Sequence, residues 1–123
     1  MSLQANSRPR FQSWKEQVRA EAGKAWGARQ ILSEGEFHLT IVHLHHGVST
    51  LDVDNIIKPI QDALEGVVLS NDNLVSDVES HRRMAGGQFE AARLPELLMA
   101  ALDSSRDCVY VRLADAAKLE DLL

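Results

Sequence analysis

A single cysteine among 123 residues leaves no partner for an intrachain disulfide and no thiol pair for a zinc site. That cysteine, Cys108, lies in a Val/Tyr-rich strand pattern and is expected to be a buried structural thiol of a protein kept in a reducing cytoplasm. The chain also lacks any apolar run approaching the ~20 residues that cross a bilayer, so no membrane association is expected. Its first residues, Met1 to Pro9, show no apolar secretory signal; residues 1–7 are expected to be a disordered tail. Positive charge is in deficit, with 13 Lys and Arg against 18 Asp and Glu and a net charge of −5. This weighs against a general nucleic-acid binder. Repeats, low-complexity tracts and linkers are missing too, which leaves one domain over 1–123 with a modest core.

What is present is unevenly distributed. Residues 1–30 carry Arg8, Arg10, Lys15, Arg19, Lys24 and Arg29 against only Glu16 and Glu21. The spacing of Phe11, Trp14, Val18, Ala22 and Ala25/Trp26 predicts a helix over 9–30, with Ser7 as its cap and basic residues on its other face. Alternation of Phe37, Leu39 and Ile41 with Glu36, His38 and Thr40 predicts a half-buried strand over 36–45. It runs into His43, His45 and His46, read as surface imidazoles because no second cysteine or nearby acid set completes a zinc site. A helix is predicted over 55–67, with Ile56, Ile60, Ala63, Leu64 and Val67 as its apolar stripe and an irregular start imposed by Pro59. Strands near 74–84 and 108–113, a short helix over 94–103 and a terminal helix over 114–123 complete the reading. In the second strand Leu74, Val78 and Met84 face one way, and Asp77, Glu79, His81 and Arg83 the other. The fold class is mixed α+β, with a small mixed sheet of about three to four strands packed with helices.

Most of the chemistry is concentrated between Asp52 and Asp72. Asp52, Asp54, Asn55, Lys58 and Asp62 sit at fixed intervals in an apolar stretch, and Asp72 follows in the turn Ser70-Asn71-Asp72-Asn73. Four acids with one cation repel each other unless a divalent ion or shared protons relieve them. Oxygen-only ligands suit Mg²⁺ or Mn²⁺. Taken singly, Asp54 is a helix cap, Asp72 a turn residue and Lys58–Asp62 a surface ion pair. Their conjunction points instead to a metal site for phosphate chemistry. Asp52, Asp54 and Asp72 would be ligands, and Lys58 would meet charge developing in the transition state. Asn55 would orient a ligand or a bound water, and Asp62 would be a fourth ligand or a partner for Lys58.

The pattern Asp52-x-Asp54-Asn55-x-x-Lys58, followed by Asp62-Ala63-Leu64 and then Asn71-Asp72, resembles the core motif of the RusA-like Holliday-junction resolvases. The close match covers about residues 50–78, and a basic N-terminal helix followed by a strand extends it more weakly. Two positions depart from the family pattern. Val48-Ser49-Thr50-Leu51 stands where arginines are common, and Asn71 replaces the first acid of an Asp-Asp pair. The resemblance implies a single RusA-like nuclease domain: a Mg²⁺-dependent homodimer that cuts four-way DNA junctions. Arg8, Arg10, Lys15, Arg19, Arg82 and Arg83 are the candidate DNA contacts. A RusA-like protein that binds DNA or a protein partner but cuts weakly or not at all is the alternative favoured by the net acidity. Hydrolysis of a small phosphorylated substrate is a third reading.

Overall fold

A computed structural model describes residues 8–46, 55–84 and 108–123, with side chains in the first helix described from Lys15 onward. The predicted helix over 94–103, the expected tail and the stretch holding Asp52 and Asp54 lie outside the described residues.

Helix α1, Arg8–Trp26, stops earlier than the periodicity suggested. Gly27 takes φ +66°, a left-handed conformation that a side chain disfavours, while its N–H still donates to the Gly23 carbonyl at 2.9 Å. The Trp26 indole donates to the Gln30 carbonyl at 3.2 Å, and the Arg29 guanidinium lies 5.3 Å from its ring centre, so the chain folds back over the helix end. Val18 is the buried residue of the described part of α1, flanked by Ala22 and Trp26 at four-residue steps.

Strand β1, Phe37–His45, is the centre of a three-stranded sheet. It pairs in parallel with β2, Val75–Met84, and antiparallel with β3, Cys108–Asp115. A parallel neighbour requires a crossover, and helix α2, Ile57–Leu64, supplies it. The sheet is mixed, as expected. The third strand runs to Asp115 rather than 113, so the terminal helix α3 shrinks to Leu119–Leu122.

One face of the sheet receives the helices. Leu39 and Ile41 of β1 are fully buried against Ile56, Ile60 and Ala63, with Val78, Val109, Val111 and Leu113 beside them. Burial of His43, 4% exposed, corrects the expectation of a surface imidazole: the alternation that buries Leu39 and Ile41 carries this side chain inward as well. Cys108 is half-buried, less enclosed than the strand pattern suggested, because it begins an edge strand.

An extra residue sets the opposite face. Phe37 pairs with Val75 but His38 pairs with Asp77, which leaves Ser76 as a bulge. Beyond it, Asp77, Glu79, His81 and Arg83 share the outer face with His38, as the alternation predicted. His38 bridges Asp77 at 3.7 Å and Glu79 at 3.2 Å, and His81 meets Glu79 at 3.2 Å. The hydrogen bond from His81 holds the Glu79 carboxyl below the usual carboxylate range, with the charge of His38 adding to it.

Ile60 is fully buried on the helix that carries Lys58 and Asp62. Ile60→Ala is expected to cost about 2–5 kcal/mol, as other large-to-small core changes do. Chemical denaturation measures it directly; a loss below about 1 kcal/mol would mean that α2 is not anchored through this residue.

Candidate metal and phosphate site

Two segments meet at the acidic site. Helix α2 begins at an Ile56 cap in helical conformation without side-chain capping, and Ile60 N–H donates to the Ile56 carbonyl at 3.2 Å. Pro59 has no N–H to return to residue 55, which explains the irregular start. Asn55 lies in the turn just before it and is exposed. The helix ends at Leu64, short of the predicted 67, because Glu65 turns extended and Gly66 adopts φ +86°. The N–H groups of Val67, Val68 and Leu69 then close on the Leu64 carbonyl at 3.1, 2.9 and 3.2 Å. Leu69 is fully buried, and Leu32 N–H and Ser70 N–H tie this loop to the one before β1.

A single turn of 3₁₀ helix, Asp72–Leu74, follows directly. Asn71 caps it, its side-chain oxygen accepting from Asn73 N–H at 2.8 Å. The residue that replaces the first acid of the family's pair is thus engaged in shaping the turn. Asp72 is left to face α2.

Lys58 joins the two segments. Its Nζ lies 3.0 Å from Asp62 Oδ1 and 3.0 Å from Asp72 Oδ2. These bonds, with Asp72 the larger influence, raise the ammonium above the ordinary lysine value and keep it protonated. Asp62 is one helical turn from Lys58. Glu65, absent from the motif as read, completes the set: Asp62, Glu65 and Asp72 each offer a carboxylate oxygen within 4.8 Å of the others. A signal for Glu65 is the Gly66 after it: the helix ends here, with Glu65 as its extended C-cap.

The basic residues divide differently. Arg19 Nη2 donates to the Asp62 carbonyl at 2.7 Å and Nε to the Ala63 carbonyl at 3.2 Å, partners that no local pattern announced. Lys15 is half-buried on α1. Arg82 and Arg83 are both exposed, but their pairing with His43 and Leu44 sends them to opposite faces of the sheet, so they do not form one patch. Arg8 and Arg10 lie in α1, while Asp52 and Asp54 fall outside the described residues.

A βαβ crossover with a carboxylate and lysine cluster beside it defines a small protein of mixed α and β structure. The sequence profile of the endodeoxyribonuclease RusA family matches residues 3–89, and the chain belongs to that family. Membership places it among nucleases of the Holliday-junction resolvase type, which act on branched DNA. The matched span includes α1, β1, α2, β2 and the whole acidic cluster, and ends before β3. No curated protein and no solved structure matches the chain. Among the described residues, no helix is long and apolar enough to cross a membrane.

Proposed function

We propose that the chain is a Mg²⁺- or Mn²⁺-dependent endonuclease that cleaves four-way DNA junctions as a homodimer. The observation that supports this most directly is the sharing of one ammonium, Lys58, between carboxylates brought together from α2 and the 3₁₀ turn. The donor set consists of oxygens alone, which suits a hard divalent ion. Oxygens on opposite sides of Mg²⁺ lie about 4 Å apart, given Mg–O distances of about 2.0–2.1 Å. The 4.8 Å limit of the cluster is within a small side-chain adjustment of that spacing. Asp62, Glu65 and Asp72 would hold the ion, joined by Asp52 and Asp54 from the segment that leads into α2. When bound, such an ion lowers the pKa of water and stabilises the oxygens of an in-line displacement.

The protein's own residues supply the rest. Lys58 is two-thirds exposed, and its long side chain can turn from the carboxylates to a phosphate oxygen while remaining charged. There it would offset the charge gained by the phosphate in the transition state. Asn55, at the mouth of α2, would orient a carboxylate or a water by hydrogen bonding. Arg8, Arg10 and Lys15 on α1, with Arg82 or Arg83 on β2, would contact phosphates. Replacing Arg10 and Lys15 with Gln is then expected to flatten the dependence of junction affinity on salt, since fewer counterions are released. An unchanged slope would remove α1 from the DNA surface. Two equivalent sites suit paired cuts across a junction, and twofold assembly is the commonest way to obtain them.

The net charge of −5 favours a second reading, a RusA-like protein that binds a junction or a partner without cutting. Labelled four-way junctions and linear duplex, incubated with and without Mg²⁺, separate the two. Metal-dependent cutting confined to junctions is expected; stable junction binding with Mg²⁺ and no product would leave the binding protein.

A further inference from the structure

We infer that Arg19 is a positioning residue for the acidic site: its guanidinium fixes the C-terminal turn of α2 and so aims Asp62 and Glu65 at Asp72. The inference rests on the metal-site reading above. The last carbonyls of a helix have no partner within it, and each must find one elsewhere. In α2 the Gln61 carbonyl accepts from Glu65 N–H at 3.1 Å, and the Leu64 carbonyl accepts from the loop that follows. The two between them, Asp62 and Ala63, accept from Arg19, 43 and 44 residues away in sequence. A side chain of α1 thus completes the cap of α2, and one of its acceptors is the main chain of a proposed ligand.

The electrostatics favour such a device. Asp62 lies in the last turn of α2 and Glu65 is its C-cap, where the partial negative charge of the helix end repels carboxylates. Lys58 meets Asp62 and Asp72 at their carboxylate oxygens. Arg19 brings a second fixed cation to the helix end itself, bonded to main chain and not to carboxylate. It therefore offsets repulsion without occupying the oxygens that would hold an ion. A guanidinium suits this geometry because its planar fork reaches two successive carbonyls; an ammonium is a point donor.

Mn²⁺ titration by calorimetry, well below the unfolding midpoint, tests the assignment. Arg19→Gln is expected to weaken Mn²⁺ binding about tenfold, the scale of losses when the support of a ligand is removed. Arg19→Lys, which keeps the charge and at most one of the bonds, is expected to fall between the two and carries the test if Arg19→Gln does not fold. In a background of Asp62→Asn with Glu65→Gln, the Arg19→Gln loss is expected to shrink, because a positioning effect requires the ligands it positions. Wild-type affinity in Arg19→Gln, or a loss undiminished in that background, would overturn the role of Arg19 and leave the metal site standing. A wild-type protein that binds no Mn²⁺ would overturn the metal reading itself, and the role of Arg19 with it.

Discussion

Lys58→Ala is expected to slow junction cleavage at least about a hundredfold while junction affinity barely changes, the scale seen when one donor to a developing charge is removed. For binding, Lys58 is one cation among several. For turnover it is the cation placed at the carboxylates, 3.0 Å from both Asp62 and Asp72. A group that meets charge appearing only in the transition state alters the rate and leaves ground-state binding alone. The ammonium and a divalent ion also compete for the same oxygens, so Mn²⁺ is expected to bind more tightly to the mutant. Single-turnover cleavage at saturating Mn²⁺ removes that difference before the rates are compared. Wild-type cutting by Lys58→Ala would deny the lysine any part in catalysis.

Removing a proposed ligand carboxylate should weaken metal binding, where removing Lys58 should strengthen it. Asp72→Asn preserves size, and neither the Asn71 cap nor the Leu74 N–H bond to the Asn71 carbonyl uses the Asp72 side chain, so the turn should stay folded. Mn²⁺ affinity is nevertheless expected to fall by about tenfold or more, since a lost ligand should cost at least as much as a lost ligand support. Cleavage should fall with it. Asp52→Asn and Asp54→Asn are expected to behave alike if the segment before α2 contributes ligands. Calorimetry showing wild-type Mn²⁺ affinity in any of the three would strike that residue from the ligand set.

How much of this was legible depended on sequence distance. The step of four from Lys58 to Asp62 placed both on one side of a helix, and the pairing is there. The outer-face set of Asp77, Glu79 and His81 followed from alternation, because the bulge at Ser76 precedes them and leaves their phase intact. Glu65 was hidden by reading α2 three residues too far, through a glycine whose positive φ follows its end. Burial of Val68 and Leu69 was missed for the same reason: both lie in a loop that bonds back to Leu64 and across to Leu32. His43 obeys the alternation of its strand; the missing ligands for a zinc site suggested the surface, but they bear only on metal binding and not on burial. The bonds of Arg19 could not be read at all, since they join α1 to the far end of α2 and leave no local periodicity.

The placement of the site within the β1–α2–β2 crossover also bears on how the protein folds and opens. Lys58 and Asp72 are only 14 residues apart, so little chain entropy is lost in bringing them together. Strand β3 joins β1 along the edge away from β2 and comes last of the three strands in sequence. The carboxylates can therefore assemble in a partly folded chain that has yet to dock this strand. In the native protein the same separation leads to an expected difference in hydrogen exchange: the amides of the edge strand β3 should exchange sooner than those of the β1–α2–β2 unit that carries Lys58, Asp62 and Asp72.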